Sequence, residues 1–185
     1  MCGIAGLIHK GKTVNIGKEL QDMLQALKHR GPDSTGYALY GEGESDNYIM
    51  RFKVGENVKE GSTAVNEDKS VYDSRRKQVD QHIRDLGANI LQDQQLTPYS
   101  FRYVIKYDKD LMEFSKKIES VEMTEILSLG KTLELVKDIG DATAVSKQYG
   151  LDKIKGTHAI GHSRMATESG VDIRSAHPFW GYPFS

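Results

Sequence analysis

Apolar residues recur along this chain with two periods, and the period changes mark the elements. Ile4 to Ile8 is a short apolar run, interrupted by Gly6, that predicts a buried strand. From Lys18 to His29, Leu20, Met23, Leu24 and Leu27 fall at the i, i+3, i+4, i+7 spacing of one helical stripe. Lys28, His29 and Arg30 follow, where cations complement the helix dipole. Gly31 is placed to end the helix, and Pro32 blocks its continuation. Tyr37 to Tyr40 predicts the next strand.

The middle of the chain alternates between the two periods. Gly41 to Asn47 is a turn signal. Tyr48 to Val54 alternates as a strand, and Val71 to Leu86 is a charged helix with Val79, Ile83 and Leu86 on one side. Tyr99 to Tyr107 is aromatic and strand-forming, and Lys109 to Glu119 is helical with Leu111, Phe114 and Ile118 as its stripe. Val121 to Leu129 and Thr132 to Lys137 read as two strands turning at Gly130-Lys131. Asp141 is placed to cap a short helix ending at Tyr149. Thr157 to Ser163 is the last clear strand, with Arg164 at its end.

Composition narrows the class. Of the 185 residues 38% are hydrophobic and 28% charged, enough for a packed core. The net charge of −1 gives no electrostatic case for nucleic acid or an anionic membrane. A single cysteine rules out an intramolecular disulfide framework and fits a reducing compartment. Met1 to Leu7 is too short for the apolar core of a secretion signal, and apolar runs fall far below the ~20 residues of a spanning helix. The expectation is a cytoplasmic protein.

The candidate chemistry starts at Cys2. Removal of Met1 would put a thiol and a free α-amine on one residue. Their reference pKa values, about 8.5 and about 7.7–8.0, let the amine take the thiol proton near neutral pH. That is an activated nucleophile of the N-terminal type; the plainer alternative is a small buried hydrophobe. The polar loop His29-Arg30-Gly31-Pro32-Asp33-Ser34-Thr35-Gly36 either caps its own backbone as a turn or braces the nucleophile strand through an Arg30–Asp33 pair. Arg164 carries the planar fork that matches an α-carboxylate, or it makes an ordinary strand-end ion pair. His158 and His162 have no cysteine or carboxylate cluster beside them, so neither a metal nor another cofactor is expected.

Three blocks carry a resemblance: Met1-Cys2-Gly3-Ile4-Ala5-Gly6, the His29 to Gly36 loop, and Gly156 to Pro178 with its Gly161-His162-Ser163-Arg164-Met165-Ala166-Thr167 core. Together, in this order, they resemble class II glutamine amidotransferase domains, members of the N-terminal nucleophile hydrolases. Stand-alone subunits related to glutamate synthase are the most similar in layout. The resemblance covers roughly the first forty residues and the last thirty. It implies an α+β fold of the αββα sandwich type, here its front half, built from 1–41 and 156–185 and incomplete at the C-terminus, with 42–155 as an inserted α+β region. It implies that Cys2 attacks L-glutamine to form a thioester and release ammonia to a synthase partner. Arg164 would hold the substrate carboxylate, Thr167 and His177 would line the pocket, and Arg30, Gly31 and Asp33 would form a supporting loop.

The sequence departs from that pattern in one respect. The family draws its oxyanion hole from an Asn-Gly pair, followed by an ammonium-binding Asp, and this chain has no Asn-Gly. The expectations are therefore two: a glutaminase subunit completed by another chain or segment, or a glutamine-binding or assembly module that does not turn over.

Overall fold

Asn15 opens the first helix. Its side-chain oxygen accepts from the Lys18 backbone N–H at 3.2 Å, which satisfies one of the amides a helix leaves unpaired at its start. Helix α1 (Ile16–Ala26) buries Ile16, Leu20 and Leu24 completely, while Met23 is 40% exposed. The predicted stripe is thus rotated towards Ile16, and the helix starts earlier than Lys18. The chain then tightens into a 3₁₀ turn, Lys28–Arg30. Gly31 does not take the left-handed conformation of a helix-ending glycine; its φ is −179°. Space demands glycine there instead: a Cβ would lie 2.5 Å from the Arg164 carbonyl carbon.

The computed structural model describes residues 2–44, 46–56, 68–166, 173 and 176–181. Among them lie two antiparallel four-stranded sheets and four α-helices, an α+β arrangement compatible with a sandwich. The first sheet has the order β1 (Gly3–Ile8), β8 (Gly156–Arg164), β2 (Ser34–Gly41), β7 (Leu133–Ile139). The second has the order β4 (Asn89–Gln95), β5 (Ser100–Lys106), β3 (Tyr48–Lys53), β6 (Glu125–Gly130). Helix α1 and helix α4 (Ala142–Tyr149) cover one face of the first sheet, closing a core of Leu20, Leu24, Tyr37, Val136, Val145 and Ala159. Helices α2 (Lys69–Asp85) and α3 (Leu111–Ile118) cover the second, over Phe52, Phe101, Val79, Ile83 and Phe114.

Three features differ from the sequence reading. The run Ile4 to Ile8 predicts a buried strand, but β1 buries only Gly3 and Ala5, while Ile4 and Ile8 on its other side are 70% and 79% exposed. Strand β4 was not predicted, because Asn-Ile-Leu-Gln-Asp-Gln-Gln lies on an exposed sheet edge and carries no alternation. The turn between β6 and β7 is not a hairpin: β6 pairs with β3, and β7 pairs with β2 in the other sheet. So β7 and α4, within the region read as inserted, build the first sheet and its core.

The sheets meet along β7, through charge as much as through apolar contact. Ala38, Leu127, Leu133 and Leu135 form a small apolar cluster there. Arg51 and Arg102 both donate to Glu134, at 2.7 and 2.8 Å. Lys53 and Lys137 both lie 3.0 Å from Glu125. Tyr99 and Tyr149 donate to Asp138 at 2.6 and 2.7 Å. Buried charges survive only when paired in this way.

Candidate active site

The register of the first sheet gathers the three sequence blocks at one end. Gly3 faces Ser163 across β1 and β8, and Arg164 faces Ser34 across β8 and β2. Cys2, just before β1, is therefore beside the end of β8 that carries Arg164. Cys2 is an exposed free thiol, and Arg164 is buried. Strand pleating puts Cys2 with Ile4, and Arg164 with His162, on the face turned away from α1. Gly3 points the other way, where a Cβ would meet Leu27 at 3.1 Å and Arg30 Cβ at 3.7 Å.

The polar loop holds this end in place through its backbone and Asp33. The Asp33 N–H donates to the Arg164 carbonyl at 3.1 Å, and the Asp33 carboxylate accepts from the Ala166 N–H at 3.0 Å. The Asp33 carbonyl accepts from the Gly140 N–H at 3.0 Å, and Thr35 donates to the Gly140 carbonyl at 2.8 Å. Gly31 lies flat on the Ser163–Arg164 backbone. One loop thereby fixes both sides of Arg164 and ties in the end of β7. Arg30 closes the 3₁₀ turn, donating its N–H to the Leu27 carbonyl at 2.8 Å, with its side chain alongside Gly3. Thr167 lies outside the described residues.

His177 enters the same face from the chain that follows. Its peptide bond to Pro178 is cis. Its backbone crosses directly over Gly36, where a Cβ would lie 1.8 Å from the His177 carbonyl oxygen. Its ring meets His162 edge to face at 4.9 Å and Phe179 at 4.7 Å. Ile4, Ile160, Gly161, His162, His177, Pro178 and Phe179 line a cleft of about 400 Å³.

His162 is the residue that sequence reasoning underrated. It is 7% exposed, and its Nδ1 has no hydrogen-bond partner among the described residues. Burial pushes its pKa below the ordinary histidine value, and His177 and Arg164 push it the same way. The signal was its spacing: two residues before Arg164 on a strand is the same face. His158, in contrast, is occupied structurally, stacked on Tyr40 at 4.1 Å and bonded to the Thr157 hydroxyl at 2.9 Å.

No protein-family model matches the chain. Among curated proteins it is 35% identical, over 98% of its length, to the "Putative glutamine amidotransferase" of Methanothermobacter thermautotrophicus, covering 57% of that protein. It is 28% identical, over 97% of its length, to the glutamine amidotransferase-like protein GlxB of Rhizobium meliloti, covering 54% of that protein. These matches support a glutamine amidotransferase family. A 77-residue stretch is also 32% identical to the glutamine–fructose-6-phosphate aminotransferase of Methanococcus maripaludis, covering 40% of this chain and 13% of that protein. The chain spans about half the length of the first two curated relatives.

Proposed function

We propose that this chain is the glutamine-hydrolysing part of a class II amidotransferase, working through Cys2 as an N-terminal nucleophile. The observation that carries the reading is the convergence of Cys2, Arg164 and the Asp33 loop at one end of the first sheet. With Met1 removed, the Cys2 α-amine takes the thiol proton. The thiolate attacks the side-chain amide carbon of glutamine, and the carbonyl π electrons move to oxygen. As the intermediate collapses, the C–N bond breaks and the α-ammonium returns its proton to the departing ammonia. Water then attacks the γ-glutamyl thioester, releasing glutamate and the thiol. Arg164 grips the substrate α-carboxylate with charge-assisted bonds, Thr167 and His177 line the pocket, and Arg30, Gly31 and Asp33 keep the arginine in register.

In this reading the ammonia passes to a synthase domain or subunit. The second sheet, within Tyr48–Gly130, is the insertion. The exposed apolar positions on the other face of the first sheet, with Ile4 70%, Ile8 79% and Ile160 47% exposed, are where completing strands pack. The alternative is glutamine binding without turnover.

Intact-mass analysis after incubation with 6-diazo-5-oxo-norleucine separates the two. The catalytic reading expects loss of Met1 and one covalent adduct, absent in Cys2→Ala. Glutamine binding by calorimetry, with no adduct even beside the completing chain, would instead establish the binding module.

A further inference from the structure

The segment after the third block crosses the first sheet along a single cross-strand row. Ile4 faces His162, His162 faces Gly36, and Gly36 faces Lys137, so these four residues share one line from β1 to β7. His177 touches the first part of that line through the His162 ring. Its backbone lies on Gly36, the one place in the row where a missing side chain leaves room. Phe179 then reaches the far end, with the Lys137 ammonium 4.6 Å from its ring centroid. Trp180, next in the chain, packs against the second core and against the small cluster between the sheets. Residues 177–180 are a strap laid across β8, β2 and β7. The row beneath the strap lies one pleat repeat below Cys2 and Arg164.

We propose that Lys137 is a positioning residue: its ammonium, held by Glu125 of the second sheet, clamps Phe179 and thereby sets His177 beside the Cys2–Arg164 end. The Lys137 side chain is 1% exposed, so its charge must be used locally. Among the described residues it meets the Glu125 carboxylate at 3.0 Å and the negative face of the Phe179 ring. Glu125 is in turn shared with Lys53, which also reaches Glu56 at 2.8 Å. The strap is thus anchored to the second sheet twice, by charge through Lys137 of β7 and by the packing of Trp180. The inserted sheet acquires a role in the site's geometry, and the role rests on the amidotransferase reading only for its effect on glutamine.

Trp180 is the only tryptophan in the chain, so its fluorescence reports the strap directly. In the full chain, Lys137→Met keeps the aliphatic stem and removes the charge, and Lys137→Arg keeps a cation. Phe179→Leu removes the ring at a position 58% exposed, where folding is not at stake. We expect red-shifted Trp180 emission and roughly doubled acrylamide quenching in Lys137→Met and Phe179→Leu, with Lys137→Arg near wild type. Adduct formation at Cys2 should need about tenfold more 6-diazo-5-oxo-norleucine for half-maximal rate, while the limiting rate changes less. Unchanged emission and quenching in both loss variants would overturn the strap. A shifted emission with an unchanged concentration dependence would overturn the positioning role. A wild-type chain that forms no adduct would count against the catalytic reading alone, since the fluorescence arm still decides whether Lys137 holds the strap.

Discussion

At the scale of single residues, the site depends on two glycines whose neighbours leave no room for a methyl group. Gly31 lies against the Arg164 backbone and Gly36 lies under His177. Gly36→Ala would force a Cβ to within 1.8 Å of a carbonyl oxygen, so the strap must lift or the strand must bend. Overpacking of this kind costs about 1–3 kcal/mol. The expected outcome is an unfolding free energy lower by that amount in a urea titration and slower labelling of Cys2. Gly6→Ala is the control in the same sheet: its nearest neighbour would be the Ala159 carbonyl at 3.6 Å, and neither stability nor labelling should change. Both glycines stood in plain view in the sequence, Gly31 read as a helix terminator and as part of the supporting loop, and Gly36 as the end of that polar loop. Their real reason is a contact with residues far along the chain, which local pattern does not reveal. The same holds for Lys137, an unremarkable strand lysine until Phe179 is laid over it.

Among the elements, β7 decides the architecture. It closes the first sheet on β2 and presents Glu134, Lys137 and Asp138 to the second. Burial alone would raise the pKa of the Glu134 carboxyl; the charge of Arg51, with the bonds and charge of Arg102, outweighs burial and holds it below the usual carboxylate range. Because the folded pKa is the lower one, this stabilisation is complete above the unfolded value of about 4.3 and is lost as pH falls through the folded value. Glu134→Gln should therefore cost about 3 kcal/mol at pH 7, by leaving buried guanidinium charge uncompensated. Chemical denaturation at pH 7 and at pH 3 checks it: the gap between variant and wild type should narrow at the acid end. A gap of equal size at both would mean the ion pair is not its source. Periodicity located β7 well, but not its sheet. Leu133 and Leu135 look alike whether they turn back on β6 or cross to β2, and only the pairing tells them apart. Strand β4 was invisible for the opposite reason, being a polar edge with no face to bury. The helices and β8 were legible because each buries one regular stripe or run; β1 was legible as a strand from its apolar run, although its isoleucines point outwards.

For the molecule as a whole, the described residues cover the first sheet fully on its helical face, and on the other face cover it mainly towards β2 and β7. Ile4, Ile8, Ile160 and Phe179, the last 58% exposed, leave an apolar band on this second face. An apolar band of this kind favours association. A second copy could cover it, so these 185 residues on their own should self-associate as protein concentration rises. Ile8→Glu combined with Ile160→Lys should abolish that in sedimentation velocity while leaving the unfolding midpoint within about 0.5 kcal/mol; equal association in the double variant would point to another surface. The strand order carries one more consequence, for the time course of folding. The second sheet contains one pairing of near neighbours, β4 with β5, and β3 reaches β5 and β6 across longer loops; Gly3 pairs with Ser163 across a longer stretch still. Closing long loops before any contact repays them is slow. During synthesis β1, which follows Cys2, is made well before β8 and waits for it. In the amidotransferase reading, the candidate nucleophile therefore stays unplaced until its partner strand is made, and its competence is timed by the completion of β8.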